Sequence, residues 1–445
     1  MPAARYKRLV DAFAAEIRSG RLTSGTQLPT HRRLAERERI AVVTASRVYT
    51  ELEAMGLVSS EHGRGTFVRD QTLPPGHGID QRPLAAESVD LNFNYPALPG
   101  QVDLLRQALR ELAGSGDLES LLRYQPHGGR ERDRAAVADH LLNRGLDTTP
   151  DSVVVVNGAQ HGLTVVALAA LRPGDLVAAD AITYPGFKVI AEALRLELAP
   201  IPTTPTEPDL DALGRLCVDR PVRAVYMMPT LHNPLGWVMD DAARRQLVAI
   251  ARRHRLLLIE DASYAYLAEC PPPPLAATAP DVTVYVSGLS KNVATGLRVG
   301  FVAAPTVRIP ALERAIRATA WNTPALTTAI ATRWLEDGTV ARLEAEKRAD
   351  ARLRQTVAGK TLKPFHPQAH PNSYFTWVPL PESARADRIA ATLATYGVAI
   401  STAEPFAITE NPPQAIRLAL GSTELGTLAD ALTTVRRAIE DDQYR

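Results

Sequence analysis

The chain has 445 residues, of which 45% are hydrophobic and 22% charged, and its formal net charge is +1. This length is too great for one ordinary core, so two or three domains are expected. No apolar stretch approaches the roughly 18 residues of a membrane span, and the two cysteines, Cys217 and Cys270, are too few for a disulfide framework or a zinc cluster. We therefore expect a soluble cytosolic protein with no metal and no membrane partner.

Positive charge is concentrated near the start of the chain. Residues 1–70 contain 12 lysines and arginines against 8 acidic residues, whereas the remainder has 38 against 41. A small basic segment suits contact with phosphate groups, although runs of charge are usually solvated faces. Charge alone is weak evidence for nucleic-acid binding.

The first seventy residues predict three helices and a hairpin. An amphipathic first helix ends at Gly20, a second begins next to Thr30 as its N-cap, and a third runs from about Val42 to Met55. Two short apolar strands then flank residues 61–65, whose glycines suit a tight turn. This order is that of a winged helix-turn-helix, in which the third helix enters the major groove of DNA.

This segment resembles the GntR family of regulators. The resemblance runs through residues 20–22, 25–35, 49–58 and 63–68, the last reading Gly-Arg-Gly-Thr-Phe-Val. It implies double-stranded operator DNA as a partner, contacted by Arg32, Thr44, Arg47, His62, Gly63 and Arg64. The alternative is that the arginines are surface residues of a generic three-helix bundle. For Arg47 the alternative is that it braces a neighbouring acid.

One departure concerns base recognition. Where the family usually reads Gly-Val-Ser-Arg-Asn-Thr at the start of the recognition helix, this chain reads Arg-Ile-Ala-Val-Val-Thr at residues 39–44. The customary serine and arginine are absent. We therefore expect base recognition to depend on Thr44, on contact of Val42 or Val43 with thymine methyl groups, and on the wing.

Residues 71–88 are rich in proline and glycine and are interpreted as a linker between a DNA-binding domain, residues 1–70, and a second domain, residues 89–440. A coil of this length spans about 25 Å on average and at most about 70 Å when stretched. It is short enough to tie the position of the DNA-binding domain to the state of the second. Within the second domain, a large subdomain is expected at about 120–320 and a small α+β subdomain at about 321–440.

From Asp151 onward, short β-branched runs alternate with helical segments, which predicts an α/β fold with a mostly parallel sheet between helices. Examples of the predicted strands are residues 153–156, 176–179, 224–228, 256–260, 282–286 and 299–303. Ligands of such folds bind at the carboxyl ends of the strands. The polar motifs described next all follow these runs.

Four polar residues in this order can build a site for pyridoxal 5'-phosphate (PLP). They are Asn233 in His-Asn-Pro-Leu-Gly, Asp261 at a strand end, Lys291 in Ser-Lys-Asn, and Arg298 in Gly-Leu-Arg-Val-Gly. A lysine can form a Schiff base with PLP, an aspartate can keep the pyridine nitrogen protonated, an asparagine can donate to the ring oxygen, and an arginine can hold the phosphate. The turn at residues 158–160 opens a helix, where backbone amides and the helix dipole favour phosphate.

These motifs together resemble the fold-type I aminotransferases. With the N-terminal segment, the whole chain from about residue 5 to residue 440 resembles the MocR subfamily of GntR regulators. The resemblance implies PLP as the cofactor, Lys291 as the Schiff-base lysine, and a set of cofactor-binding residues: Asp261, Tyr264, Asn233, Tyr184, Arg298, Gly158, Ala159, Gln160, Ser290 and Tyr124. Tyr184 would stack on the ring, and Tyr264 would donate to its phenolate oxygen, although Tyr264 could equally be a core tyrosine.

Two further residues carry implications for partners. The resemblance implies that Tyr124 reaches the phosphate of the other subunit, which makes the protein a homodimer. It also implies that Arg417 grips the carboxylate of a substrate or effector. Two positions depart from the family pattern: Gly288 replaces a serine, with Ser287 beside it, and Thr295 replaces a proline.

Three functions fit these motifs. The first is a PLP-dependent transcriptional regulator that senses PLP or an amino compound. The second is a working aminotransferase that also binds DNA, and the third is an inactive scaffold that only dimerises the DNA-binding domain. Retention of the cofactor motifs argues against the scaffold. The motifs do not separate the first two functions, but the fused DNA-binding domain favours the regulator.

Overall fold

The computed structural model describes residues 2–18, 21–23, 26–55, 57–61, 65–68, 88–114, 118–204, 207–409 and 411–443. Within them, no helix is long and apolar enough to cross a membrane. The predicted wing residues His62, Gly63 and Arg64 lie outside the described residues, as do Gly20 and nearly all of the predicted linker.

The N-terminal residues form a winged-helix module, as predicted. It consists of α1 (Pro2–Arg18), α2 (His31–Glu38), α3 (Val42–Ala54), and the antiparallel strands β1 (Val58–Glu61) and β2 (Gly65–Val68). Thr30 caps α2, because its hydroxyl accepts a hydrogen bond from the backbone N–H of Arg33 at 3.3 Å. The helices and hairpin enclose an apolar core of their own, which includes Val10, Leu34, Val48 and Leu52.

The remaining helices and strands belong to the larger part of the chain. The strands are β3 (Val89–Leu91), β4 (Val153–Val156), β5 (Leu176–Asp180), β6 (Glu197–Ile201), β7 (Val222–Met227), β8 (Leu257–Asp261), β9 (Thr283–Gly288), β10 (Gly300–Ala303), β11 (Phe375–Pro379), β12 (Val398–Thr402) and β13 (Ala415–Ala419). The helices are α4 (Gln101–Gly114), α5 (Leu118–Leu121), α6 (Glu131–Leu142), α7 (Gly158–Ala170), α8 (Pro185–Ala193), α9 (Leu210–Asp219), α10 (Asp241–His254), α11 (Leu275–Thr278), α12 (Ile309–Thr319), α13 (Ala325–Glu336), α14 (Thr339–Thr361), α15 (Ala386–Thr395) and α16 (Leu425–Gln443).

Seven strands form the large sheet, in the order β4-β10-β9-β8-β7-β5-β6. All neighbours are parallel except β10, which runs antiparallel to β9 and β4. The prediction of a mostly parallel sheet is therefore confirmed. Strand β6 was not among the strands named from the sequence: it lies at the sheet edge, where exposed Glu197 and Pro200 interrupt its apolar pattern.

Helices cover both faces of this sheet. Successive residues of β4 enter different apolar clusters: Val154 and Val156 pack with α7 residues, whereas Val153 and Val155 pack with residues of α6 and α13. A strand buried on both faces has no polar alternation, which explains the unbroken valine run at residues 153–156. This layering aligns the carboxyl ends of β7, β8 and β9 along one edge.

A second, four-stranded sheet has the order β11-β13-β12-β3. Together with α15 and α16 it forms what we call the small subdomain, whose apolar core includes Leu91, Ile389, Ile416 and Leu432. Strand β3 lies at the edge of this sheet and pairs in parallel with β12. Strand β3, which follows residues 69–87, thus belongs to the same sheet as β11, β12 and β13 from residues 375–419.

Candidate functional sites

A cavity of about 690 Å³ opens at the carboxyl ends of the large sheet, facing the small subdomain. It brings together most of the residues that the sequence predicted to bind a cofactor or its ligand. Its lining includes Ala159, Gln160, Tyr184, Asn233, Asp261, Tyr264, Ser290, Lys291, Arg298 and Arg417. We refer to this cavity as the central pocket.

Lys291 follows β9 and points into the central pocket. Its Nζ donates a hydrogen bond to the backbone carbonyl of Asn94 at 3.0 Å. Behind it lies a second lysine that sequence reasoning missed: Lys347 on α14 donates to the backbone carbonyls of Lys291 at 3.1 Å, Val293 at 2.7 Å and Pro96 at 2.8 Å. Burial lowers the pKa of Lys347 to about 7. The Lys291 backbone is therefore held by a residue distant in the sequence.

Asp261 ends β8 and is buried. One carboxylate oxygen accepts from the hydroxyl of Tyr226 at 2.9 Å, and the other accepts from the Ser263 backbone N–H at 3.0 Å and its hydroxyl at 2.6 Å. Burial nevertheless raises the pKa of Asp261. A buried carboxylate of this kind is stabilised by a cation beside it. Sequence reasoning missed Tyr226, which lies on a predicted strand, and Ser263, which lies two residues after Asp261. Neither residue carried a separate signal.

Arg298 lies at the amino end of α7. Its guanidinium donates to the backbone carbonyl of Asn157 at 3.2 Å and to the hydroxyl of Ser290 at 3.3 Å. Gly158, the first residue of α7, has φ +81°, a conformation that favours glycine. The arrangement combines a guanidinium, a hydroxyl and the free amides of a helix amino end, which together suit a phosphate.

Gln160 has a more structural position than the prediction gave it. Its side-chain nitrogen donates to the backbone carbonyl of Gly186 at 2.8 Å, which fixes the loop carrying Tyr184. Tyr184 is the N-cap residue of α8 and lines the central pocket, and burial raises its pKa. Tyr184 thus lines the pocket and also packs against the adjoining apolar core.

Asn233 and Tyr264 approach the pocket from neighbouring loops. Asn233 is buried, and its side-chain oxygen has no hydrogen-bond partner in the described structure. Tyr264 packs edge-on against Phe375, with ring centroids 5.0 Å apart. Beside Asn233, His232 stacks on Trp237 at 4.3 Å and lies 3.3 Å from Asp180. This buried histidine–aspartate pair was not singled out from the sequence.

Arg417 reaches the pocket from β13 of the small subdomain. Only 5% of it is exposed, and it donates to the backbone carbonyl of Asn92 at 2.8 Å. Its guanidinium carbon lies 5.3 Å from the ring centroid of Phe375 and 5.8 Å from that of Phe406. Burial lowers the pKa of Arg417, and its Nε has no hydrogen-bond partner in the described structure. An acidic ligand would complete these contacts.

Tyr124 lies away from the central pocket of its own chain. It is 85% exposed and contacts Trp321, with ring centroids 5.7 Å apart. The prediction that it serves a second subunit stays a prediction.

The two positions that depart from the family pattern lie next to the pocket. Gly288 and Thr295 line it, whereas the Ser287 hydroxyl turns away and donates to the Ala262 carbonyl at 3.2 Å. The Ser287 hydroxyl therefore does not replace the missing serine at 288.

Taken together, the donor set fits PLP. The phosphate would lie at Arg298, Ser290 and the amino end of α7. The pyridinium nitrogen would face Asp261, and Lys291 would meet the cofactor's carbonyl carbon. The side-chain amide of Asn233 lines the same pocket and can donate to the ring oxygen of such a molecule.

Those predicted DNA-contacting residues that the structure describes, Arg32, Thr44 and Arg47, lie on the winged-helix module. Arg32 is exposed on α2, and Val42 and Val43 are exposed at the start of α3, whereas Thr44 is half-buried. The Arg47 guanidinium lies over the ring of Tyr6 at 4.4 Å, and no ion pair joins it to an acidic residue among the described residues. Ala41 is the N-cap residue of α3 and provides no side-chain hydrogen bond.

Known proteins match both parts of the chain. Residues 5–68 match the gntR family of bacterial regulatory proteins, and residues 86–433 match the family Aminotransferase class I and II. The solved structure of LysN, the alpha-aminoadipate aminotransferase of Thermus thermophilus complexed with N-(5'-phosphopyridoxyl)-L-leucine, superposes with a TM-score of 0.73 at 23% identity. The match covers 81% of this chain and 94% of LysN.

Several of the similar proteins are named as regulators. YdeF of Bacillus subtilis, an uncharacterised HTH-type transcriptional regulator, is 27% identical over 98% of this chain and 94% of its own. PdxR of Corynebacterium glutamicum, an HTH-type pyridoxine biosynthesis transcriptional regulator, is 26% identical over 97% of this chain and 95% of its own. MocR of Rhizobium meliloti, a probable rhizopine catabolism regulatory protein, is 25% identical over 70% of this chain and 67% of its own.

The fold and central pocket thus define a class of protein in which a GntR winged-helix module is joined to an aminotransferase-like domain. The chain belongs to the Aminotransferase class I and II family and, with its GntR module, to the MocR-type subfamily of GntR regulators.

Proposed function

We propose that this protein is a PLP-dependent transcriptional regulator: it binds operator DNA through its winged-helix module and PLP through Lys291, and its DNA binding responds to PLP or to an amino compound. The observation that carries the proposal is the convergence of Lys291, Asp261 and Arg298 on one pocket of a chain that also carries a GntR module. An aminotransferase that acts only as an enzyme does not require a DNA-binding module, whereas a regulator requires both the module and the pocket.

The pocket residues have distinct roles in this proposal. PLP supplies an electron-withdrawing ring and a carbonyl group that reacts with amines. Asp261 holds a proton on the ring nitrogen, and Tyr226 and Ser263 fix the orientation of that carboxylate. Arg298 and Ser290, with Gly158 and Ala159 at the amino end of α7, bind the phosphate. Tyr184 covers one face of the ring.

Tyr264 and Asn233 orient the oxygen substituent of the ring, and Gln160 supports the Tyr184 loop. Arg417 is the site for the carboxylate of an amino-acid effector, because it is a buried guanidinium from the opposite subdomain. An amino compound with a carboxylate would therefore contact both subdomains. If PLP itself is the signal, Arg417 has little part in the response.

On the DNA side, Arg32 and the wing residues His62, Gly63 and Arg64 contact the backbone and groove. Thr44, Val42 and Val43 face the bases, and Arg47 contributes charge from above Tyr6.

The working unit in this proposal is a homodimer in the cytoplasm. Leu105, Leu109, Leu122 and Tyr124 are exposed apolar side chains on or near α4 and α5, and a second subunit that packs there would cover them. In a dimer, Tyr124 would reach the phosphate of the other subunit. The chain would be divided into a DNA-binding domain at 1–70, a linker at 71–88 and a PLP-binding domain at 89–440.

The cofactor assignment is tested by reducing the purified protein with borohydride in the presence of PLP and sequencing its peptides by mass spectrometry. The expected result is one pyridoxyl-lysine at residue 291, absent from Lys291→Ala. A modified lysine elsewhere, or none at all, would refute the assignment. Turnover with a panel of amino acids and keto acids, measured in the same preparation, separates a sensor from the second candidate, a working aminotransferase.

A further inference from the structure

The winged-helix module and the small subdomain have separate apolar cores. The first includes Val10 and Leu52, the second Ile389 and Leu432, and no described apolar residue belongs to both. The two buried apolar cores therefore do not merge. The contacts between them among the described residues are instead mainly polar and charged, and they converge on residues 382–388 at the start of α15.

The closest of these ion pairs joins Arg388 and Glu51. Arg388 Nη1 on α15 lies 2.6 Å from Glu51 Oε1 on α3, and only 7% of the Glu51 side chain is exposed. The other side of the same guanidinium meets Asp442 of α16, with Nη2 donating at 3.0 Å and Nε 2.9 Å away. One arginine thus joins the recognition helix to two helices of the small subdomain.

A second arginine makes a parallel contact with α1. The side chain of Arg385 is 2% exposed, and its Nη2 lies 3.3 Å from Asp11 Oδ1. Its Nε donates to Asp387 at 3.1 Å. Lys7, one helical turn before Asp11, donates to the backbone carbonyls of Glu382 at 2.6 Å and Ala384 at 3.0 Å. Helices α1 and α3 therefore both bind to the same short segment, residues 382–388.

The interface is incompletely packed. A cavity of about 310 Å³ lies between the module and the rest of the chain, lined by Asp11, Met55, Arg385, Glu404 and Lys188 of α8, among others. Buried ion pairs stabilise a contact less than apolar packing does, but breaking one partner leaves an unpaired buried charge, so they fix orientation strongly. An interface with buried ion pairs and an unfilled cavity therefore suits a contact that has a defined orientation and can still separate.

The same small subdomain also carries the ligand-facing residues. Helix α15 packs on β12, and Ser401 of β12 lies opposite Arg417 of β13 in the sheet register. Ser401 and Arg417 both line the central pocket. Residues 382–388, which contact the winged-helix module, and Arg417, which is proposed to bind a carboxylate, thus both belong to the small subdomain.

The contact does not cover the start of the recognition helix. Val42 and Val43 are 46% and 80% exposed, whereas Glu51, two turns later on α3, is buried against Arg388. The contact therefore orients the DNA-binding surface and does not block it.

We propose that residues 382–388 with Asp442 form a docking surface for the winged-helix module, and that the Arg388–Glu51 and Arg385–Asp11 ion pairs transmit movement of the small subdomain to the DNA-binding surface. The transmission rests on the proposed function, because it requires a ligand that moves the small subdomain. The docking itself does not. The signal thus passes through a direct contact and does not depend on the linker alone.

The test uses the full chain with Cys217 and Cys270 replaced by serine, and nitroxide labels on cysteines at two exposed positions, Arg33 and Tyr396. Labelled protein is diluted with unlabelled protein, and distances are measured by pulsed electron paramagnetic resonance. The key variants are Glu51→Gln, which keeps the Arg388–Asp442 pair intact, and Asp11→Asn. Glu36→Gln is the matched control, because it removes the same charge from an exposed position on α2.

Docking predicts a single narrow distance distribution in the parent and in Glu36→Gln, and a broad or multiple one in Glu51→Gln and Asp11→Asn. Transmission predicts that Glu51→Gln brings the ratio of operator affinities with and without PLP plus amine at least threefold closer to one, whichever direction the parent's response takes, while the absorbance titration with PLP is unchanged. A narrow distribution together with an unaltered ratio in both interface variants would overturn the inference. If the parent itself shows no ligand response, the proposed function fails, and the distance measurement still decides the docking.

Discussion

Gly158 and Arg298 approach each other so closely that a Cβ atom on residue 158 would lie 2.9 Å from Nη2 of the arginine. Gly158 also has φ +81°, so a side chain there is disfavoured both by backbone conformation and by contact with the guanidinium. The position is the first residue of α7, where the amides that suit a phosphate are located. The glycine at position 158 is therefore required at the end of the proposed PLP site where Arg298 and the α7 amides would bind the phosphate.

We therefore expect Gly158→Ala to weaken PLP binding at least tenfold, because Arg298 must move away from the amino end of α7. Titration of the cofactor-free protein by absorbance measures the effect. Gly174→Ala is the matched control: that glycine has φ +86°, but nothing lies within 4 Å of its Cβ position. It should cost similar backbone strain and leave PLP affinity unchanged. Equal PLP affinities in the two variants would contradict the assignment of the phosphate end.

Asp261→Asn should separate stability from cofactor binding. Burial raises the pKa of Asp261 from its ordinary value of 3.8, so the folded cofactor-free protein binds this proton more tightly than the unfolded chain. The stabilisation that protonated Asp261 gives to the folded protein is thus fully present below the ordinary pKa of 3.8, and it is lost as the pH rises through the raised pKa. Asparagine cannot ionise and removes that dependence.

The expected result is a variant at least as heat-stable as the parent at pH 8 without PLP, with the difference shrinking toward pH 4, and with PLP affinity at least tenfold lower. Thermal melts across this pH range and the absorbance titration check both parts. A variant that is less stable than the parent at pH 8 and binds PLP equally well would show that Asp261 is a structural residue.

Much of this architecture could be predicted from local sequence. The valine run of β4 and the capping threonine of α2 are local signals, and the motifs around Lys291 and Arg298 have fixed spacing along the chain. The contacts of Lys347 with the Lys291 carbonyl could not be predicted, because they join residues 56 positions apart through a backbone atom. The edge strand β6 was not named from the sequence, because its exposed residues Glu197 and Pro200 interrupt the apolar run that identifies a buried strand.

Ala41 leaves the amino end of α3 without a side-chain cap, at the position where the GntR pattern has serine. Ala41→Ser should supply a hydroxyl for one of the free amides and stabilise the helix by about 1 kcal/mol. Chemical denaturation followed through a probe on the winged-helix module measures the change. Ala12→Ser, the same substitution at an exposed position inside α1, serves as the control for a hydroxyl elsewhere in the module and should not stabilise it. No stabilisation by the capping variant would mean that the α3 end is satisfied differently in solution.

DNA contact by Arg32 predicts a particular salt dependence. Arg32→Ala should weaken operator binding and make its logarithmic dependence on salt concentration shallower by about one, if the side chain meets a phosphate. Arg64→Ala in the wing should weaken operator binding as well. Fluorescence anisotropy at several salt concentrations gives both quantities. Arg436→Ala, on an exposed ion pair of α16, should change neither the affinity nor the slope.

The isolated fragment 1–70 should bind operator weakly, because Ala41 and Val42 stand where the family pattern has a serine and an arginine. The same anisotropy measurement with the fragment checks this. Tight, sequence-specific binding by the monomeric fragment would contradict the expectation.

The central claim is that PLP or an amino compound, bound at Lys291, changes the affinity for DNA. A ligand can do this only if it binds one arrangement of the protein better than another. The most direct measurement is the operator affinity of the cofactor-free, PLP-bound and PLP-plus-amine protein, in the parent and in Arg417→Ala. We predict that the parent's affinity differs between these states, and that Arg417→Ala abolishes the response to an amino acid but not the response to PLP alone. Identical affinity in all three states of the parent would contradict the account.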